Sequence, residues 1–346
     1  MSVLPVSRMS ERTVSGVLSL ALLGVLAGLF FFSLSLGRVG GPLVDSLPWD
    51  FLYLDPDVFG ETNRLILVEV RLPRTLLAVM TGLSLGLSGA VLQGLFRNPL
   101  ADPGIIGTSS TASLGAVVVL YFSLAEYSNL ALTAGGVAGA LLGLVGLYIL
   151  TGKKPGTTGF ILAGVALSSL AVAMTSLALS LAPSPFATLE ILFWMMGSVA
   201  DRTFTHVWIA LPLMITGWLL LLGAGRGVDA LCLGEESATN LGFNVPNIRA
   251  RIILGCALCV GAAVSVTGAI GFIGLVVPHI LRPLVGFQPR ALLVPAGIGG
   301  ACLLLLADIA VRLMPPGPEL KLGVLTALVG APFFFWLLVR YRREML

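Results

Sequence analysis

Residues 157–189 run for 33 positions without a charged side chain. A helix crosses a bilayer with about 20 apolar residues. The run is therefore too long for one span and too apolar for a water-facing surface. Pro183 and Pro185 interrupt it, since proline removes a backbone donor and restrains the residue before it. It reads as a spanning helix ending near Leu181, then a short interfacial helix over 186–198 with Trp194 as interface anchor. Uncharged runs recur along the chain. Of 346 residues, 57% are hydrophobic and 11% charged, against roughly 25% charged in a soluble domain. That excludes a soluble enzyme, a nucleic-acid-binding domain and a disordered chain. The 42 glycines suit membrane helices, whose backbones approach closely at small residues.

Ten spans are expected, at about 13–37, 75–96, 104–124, 130–150, 157–181, 205–223, 252–269, 270–285, 291–311 and 322–339. Arg8 and Arg12 precede the first, and no small-x-small cleavage pattern follows it, so it reads as a retained span. Two polar stretches remain outside the bilayer, a loop over 38–74 and a second region over 225–251. The chain is one transmembrane domain over 1–346. Ten spans put both termini on one side. With that side cytoplasmic, 13 Lys and Arg fall inside and 7 outside, as the positive-inside rule requires.

Gly82, Gly89, Pro99 and Gly107 lie at offsets 0, 7, 17 and 25, and Gly261, Gly268, Pro278 and Gly286 repeat them. The second span runs inward and the seventh outward. The spacing therefore predicts an inverted repeat of helices 2–5 and 7–10, a common transporter plan. Gly135, Gly139 and Gly143 form a double GxxxG, a sign of close helix packing within or between chains.

No catalytic constellation is present. The two histidines, His206 and His279, lack a second ligand at helical spacing and read as structural. Cys256 and Cys259 form a CxxC inside an apolar run, where free cysteine packs as a small hydrophobe. Gly152-Lys153 lacks the rest of a phosphate loop. Asp308 is the one carboxylate well inside an apolar stretch, and Arg312 follows four residues later for an i,i+4 pair. In the second polar region, residues 233–242 read as a short helix. Glu235 and Glu236 fall in its first turn, favourable to the helix dipole. Gly242 is its cap, and Ala238 and Leu241 share a face on which a partner could dock.

Several motifs together resemble the FecCD/BtuC family, the permease subunits of type II ABC importers for iron chelates and vitamin B12. They are Arg71-Leu72-Pro73-Arg74, Phe96-Arg97-Asn98-Pro99-Leu100-Ala101-Asp102-Pro103-Gly104, Leu233-Gly234-Glu235 with Leu241-Gly242, and Gly271-Phe272-Ile273-Gly274 through Val277-Pro278-His279. Leu306-Ala307-Asp308 and Gly330-Ala331-Pro332 complete the set. The likeness covers residues 65–340. Pro283 with Phe287-Gln288-Pro289-Arg290, and the Pro-rich Pro315-Pro316-Gly317-Pro318, depart from the pattern.

The resemblance implies an all-α, ten-helix subunit that pairs with a second copy in a bacterial inner membrane. Two ATPase subunits carrying ATP and Mg would dock on the cytoplasmic side, and one periplasmic binding protein on the other. The chain itself would be no enzyme, hold no cofactor or metal and bind no nucleic acid. Arg71, Arg74 and Arg312 match the family's docking arginines for the binding protein. Asn98, Pro99 and Leu100 match one cytoplasmic gate. Lys153, Lys154, Pro155, Gly156 and Thr157 match another. Glu235, Glu236, Ser237, Ala238, Asn240, Leu241 and Gly242 match the coupling helix for the ATPase. Ala163, Ala166 and Ser169 would line the path. The cargo expected is an iron chelate, haem or ferric siderophore, with vitamin B12 as the family alternative. The inverted repeat alone would also fit an ion-coupled secondary transporter.

Overall fold

The computed structural model describes residues 11–36, 64–128, 130–152, 156–314 and 319–345. These residues form thirteen α-helices and no strand. They are α1 Glu11–Ser35, α2 Leu72–Leu95, α3 Thr108–Tyr121, α4 Ala131–Thr151, α5 Thr157–Ser180, α6 Pro185–Met195 and α7 Phe204–Gly223. After them come α8 Gly225–Cys232, α9 Glu235–Asn240, α10 Val245–Thr267, α11 Ile273–Leu281, α12 Pro289–Arg312 and α13 Leu322–Met345. Each of the ten expected spans contains one helix. The short helix expected after Pro183 is α6, with Ser184 accepting from the Ala187 N–H as its N-cap.

Seven described helical segments are long and apolar enough to cross a bilayer alone. α3 and α11 are not among them. With 14 and 9 residues they reach about 21 and 14 Å, short of the roughly 30 Å hydrocarbon thickness. Both follow a break in regular helix. A 3-10 turn, Pro103–Ile106, and Gly107 at φ 79° precede α3. Gly268 at φ 72° and Phe272 at φ 68° precede α11. Irregular backbone at membrane depth needs internal hydrogen-bond partners. Here the Ser198 N–H donates to the Thr267 carbonyl at 2.7 Å, and the Gly323 N–H to the Gly197 carbonyl at 3.2 Å.

α2, α10 and α12 form the centre of the bundle, with α1 and α5 at its edge. Small residues make the central contacts. A Cβ on Gly82 or Gly86 would overlap the α12 backbone at Gly300 or Ala296, and one on Gly89 the Gly274 carbonyl. The double GxxxG is an intrachain contact. Gly135 packs on Gly115, while Gly139 and Gly143 pack on Thr111 of α3.

Helices α2–α5 and α10–α13 begin at opposite ends of the bundle, as an inverted repeat requires. The glycine offsets that suggested it do not correspond in local structure. Gly89 lies mid-helix in α2, whereas Gly268 follows the end of α10. Pro99 lies in a connector, whereas Pro278 lies inside α11. In a glycine-rich chain equal spacings arise without equal roles.

Four other expectations change. A π-helical turn, Ile66–Arg71, feeds α2 directly, so helix begins inside the stretch read as a loop; residues 38–63 of that loop lie outside the described residues. α10 starts well before residue 252, because the Asn244 side chain caps the Asn247 N–H at 3.1 Å and Pro246 fits the first turn. α8 lies in a stretch read only as a polar region outside the bilayer. Its two glycines argue against a helix, but Val228 and Leu231 are buried and Val228 fits against Gly94 of α2. Trp194 is buried rather than an interface anchor; Phe186, Phe193 and Trp208 are exposed large aromatics nearby.

Candidate functional sites

A charged cluster closes one end of the bundle. The last turn of α1 leaves carbonyl oxygens without intrahelical partners, and cations are favoured there. Arg312 donates through Nη1 to the carbonyls of Ser33 at 2.8 Å and Leu36 at 3.3 Å. Arg71 donates through Nη1 to those of Leu34 at 2.9 Å and Ser35 at 3.4 Å. Asp308, 1% exposed, sits beneath. It accepts from Arg312 Nε at 2.9 Å and from Arg74 Nε and Nη2 at 3.0 and 2.8 Å. Arg74 Nη2 also donates to Glu319 Oε1.

The Asp308–Arg312 pair expected from i,i+4 spacing is present. Arg74 joins it from 234 residues away and brings in Glu319 as its second carboxylate, a contact that no local spacing could reveal. Arg312 departs from the reading of an outward arginine. It is 8% exposed, and its guanidinium is occupied by Asp308, Ser33 and the end of α1. Three arginines against two carboxylates leave this cluster one net positive charge (3 − 2).

The opposite end carries a helical platform. α8 packs beside the start of α12, where the Arg290 N–H donates to Asp229 Oδ1 at 2.9 Å. Burial pushes the Asp229 carboxyl above its ordinary range; that hydrogen bond and the Arg290 charge oppose the shift. α9 follows Gly234, whose φ of 114° needs a glycine. Glu235 in its first turn pairs with Arg249 of α10. Ala238 differs from the expected docking face, since it is fully buried against the platform. The exposed apolar groups here are Leu241, at 61%, and Leu233, at 68%, which the sequence reading had not placed in the site. Glu236, Asn240 and Gly242 are exposed, and Ser237 is half-buried.

The two candidate gates lie at this same end. Asn98 Oδ1 accepts the Leu100 N–H at 2.9 Å, and the Asn98 carbonyl accepts the Ala101 N–H at 3.1 Å. These bonds make a tight turn at Pro99. Gln93, 1% exposed, ties this turn to α11. It donates to the Gly274 carbonyl at 3.2 Å and accepts from Arg282 at 2.5 Å. For the second gate, Lys153, Lys154 and Pro155 lie outside the described residues. Gly156 is the N-cap of α5 and Thr157 its first residue. A cavity of about 1020 Å³ joins this turn to the platform, lined by Tyr148, Gly156, Phe160, Glu236, Asn240 and Arg249 among others.

Along α5, Leu162, Ala166, Ser169, Ala173 and Ser176 are exposed at alternating spacings of four and three, which places them on one helix face. Ala163 is not on that face; it is 7% exposed and packed into the core. His206 Nδ1 accepts the Thr203 N–H at 3.2 Å and caps α7. His279 stacks edge-on against Phe333, ring centroids 5.9 Å apart. All four cysteines are free thiols. Among the described residues no three His, Cys, Asp or Glu side chains converge as metal ligands.

Among the described residues, seven helices apolar and long enough to cross a bilayer, with shorter apolar helices between them, join a charged cluster at one end to a polar helical platform at the other, the make-up of a multi-pass membrane protein. The FecCD transport family model matches residues 25–340, and the chain belongs to that family. The hemin transport system permease protein HmuU of Yersinia pestis is 40% identical over 286 residues, 81% of this chain and 84% of that one. The Fe(3+) dicitrate transport system permease protein FecD of Escherichia coli K12 is 39% identical over 317 residues, 92% and 96% of the two chains. The vitamin B12 import system permease protein BtuC of Vibrio cholerae is 41% identical over 294 residues, 84% and 87%. A solved structure described as an inward-facing metal-chelate type ABC transporter superposes with a TM-score of 0.83 at 30% identity, over 94% of this chain and 99% of that one.

Proposed function

We propose that this chain carries an iron chelate, haem or a ferric siderophore, inward across a bacterial inner membrane as one of two identical permease subunits. The observation that carries this reading is the placement of two different surfaces at opposite ends of continuous helices. The Arg74 end faces the periplasm and receives a binding protein. The α8–α9 end faces the cytoplasm, with both termini, and receives the ATPase subunits that hold ATP and Mg. The family relationship supports the assembly, and relatives named for hemin and ferric citrate support the cargo.

The α5 face supports a path between two copies. A purely lipid-facing helix gains from large apolar side chains, whereas Ala166, Ser169, Ala173 and Ser176 leave room and offer hydroxyls. The Asn98–Leu100 turn and the start of α5 close this path at the cytoplasmic end, and Leu241 and Leu233 give the ATPase an apolar foothold. Asp308, the described carboxylate buried in the bundle, lies in an ion-pair cluster at a helix end. It is poorly placed to carry an ion through the bilayer centre.

Arg71→Glu is expected to weaken binding-protein docking by about tenfold or more, since a charge at a contact rim is replaced by its opposite. Biosensor affinities on the purified complex check it; unchanged affinity removes the docking role. Because Arg71→Glu also removes the donors to the Leu34 and Ser35 carbonyls, thermal stability is measured beside affinity; Arg74→Glu is the poorer test still, since it sets a carboxylate beside the buried Asp308. The cargo is tested by titrating the cognate binding protein with hemin, ferric siderophores and cobalamin. The reading expects hemin or a siderophore to bind; saturable binding of cobalamin alone would replace the iron-chelate assignment with the vitamin.

A further inference from the structure

α7 ends against an arginine. The last turn of a helix leaves carbonyls without intrahelical partners. Arg251 of α10 donates through Nε to one of them, that of Leu220, at 3.0 Å. The rest of its guanidinium is seated on Gly223, where a Cβ would strike Nη2. Nε alone makes the cap. Among the described residues, Nη1 and Nη2 have no hydrogen-bond partner, and no carboxylate pairs with Arg251. Arg251 is exposed, and so is Arg226, about one turn beyond Gly223 at the start of α8.

α7 also carries an apolar stripe. Trp208, Ile215 and Leu222 are exposed at spacings of seven, close to two helical turns, so they share one face. The 20 residues of α7 reach about 30 Å, the hydrocarbon thickness of a bilayer. The stripe therefore follows the acyl chains, and Arg251 stands at the level where headgroup phosphates lie.

We propose that Arg251 and Arg226 form a binding site for an anionic phospholipid, whose phosphate takes Nη1 and Nη2 of Arg251 and whose acyl chain lies along the α7 stripe. Guanidinium and phosphate match as a two-pronged, charge-assisted pair. Here the fork is already oriented, because Nε is tethered and Gly223 gives it a seat, so little side-chain freedom remains to be lost on binding. Two arginines without a paired carboxylate favour a lipid of net negative charge over one whose headgroup carries its own ammonium. With the α8–α9 end cytoplasmic, the site meets the inner leaflet. An acidic segment of the ATPase is the competing occupant, but an exposed apolar stripe through the bilayer thickness serves a lipid and not a water-borne protein.

The test uses the purified permease–ATPase complex, delipidated in detergent and titrated with dioleoyl phosphatidylglycerol or dioleoyl phosphatidylcholine. Native mass spectrometry counts the first saturable lipid on each permease subunit, and thermal stability is the control. Wild type is expected to bind the glycerol lipid about fivefold more tightly than the choline lipid, and Arg251→Gln to lose that preference, the effect of one basic residue at a membrane surface. Gly223→Ala separates an oriented site from diffuse charge. It keeps both arginines and displaces only the end of a flexible side chain, yet it pushes the guanidinium off its seat. Phosphatidylglycerol binding should weaken about two- to fivefold, with phosphatidylcholine binding unchanged. Equal affinity for the two lipids in wild type, or unchanged phosphatidylglycerol binding in either variant, overturns the site. Variants that keep the lipid but lose the ATPase subunits overturn it as well and assign the arginines to a protein contact. Lipid counts do not depend on transport, so a wild-type complex that failed to take up chelate would sink the permease reading and leave this site standing.

Discussion

Asp308→Asn is expected to destabilise the permease by about 3–5 kcal/mol, the cost of leaving buried charge without its partner. Asparagine has nearly the same shape and can still accept a hydrogen bond, so the effect isolates the charge. Arg74 and Arg312 would then face each other across a neutral group. Glu319 pairs with Arg74 rather than with Arg312 among the cluster's ion pairs and lies at its edge, 23% exposed. Arg312 holds the end of α1 through the Ser33 and Leu36 carbonyls, so the outer end of α1 should loosen first. Thermal unfolding in detergent, with hydrogen exchange at residues 30–36, measures both effects. A double variant that also carries Arg74→Gln should recover part of the loss, because it removes one of the stranded cations. Equal stability of wild type and Asp308→Asn would show that the cluster does not organise this end.

Leu241→Asp is expected to lower binding-protein-stimulated ATP hydrolysis by about tenfold or more while leaving the permease folded. Leu241 is 61% exposed just past α9, and exposed substitutions usually change stability by less than about 0.5 kcal/mol. In an interface the same residue would be an apolar anchor, and anchors dominate binding. Aspartate there adds charge beside Glu235 and Glu236 and must be desolvated on contact. The readout is ATPase rate and cargo uptake in vesicles, with thermal stability as control. Wild-type transport by this variant would remove the coupling role from α9. Ala238 would be a misleading choice, because it is buried and its substitution tests the fold.

Much of this was legible in the sequence because membrane helices are read from length and charge. The ten helices, the α6 interruption at Pro183, the α9 helix and the Asp308–Arg312 pair all rest on local spacing. What was missed rests on tertiary contact. α8 is a helix despite Gly225 and Gly227 because Val228 and Leu231 are buried. Arg74 and Glu319 join Asp308 only when α2 and α12 pack, which needs the glycines at 82, 86 and 300 to meet. Ala163 was assigned by resemblance and Ala238 by helical spacing, and neither records which side of a helix faces the core. Trp194 misled because residue type and position near a helix end do not say which way the side chain turns.

The central claim is that the chain is a passive path whose energy comes from a partner. Uptake of radiolabelled iron chelate into vesicles holding the permease, its ATPase and luminal ATP with Mg, and with binding protein outside, tests it most directly. Replacing ATP with a non-hydrolysable analogue should stop uptake, and collapsing the ion gradients with ionophores should leave it unchanged. Uptake that persists undiminished without hydrolysis, and falls when the gradients collapse, would contradict the account.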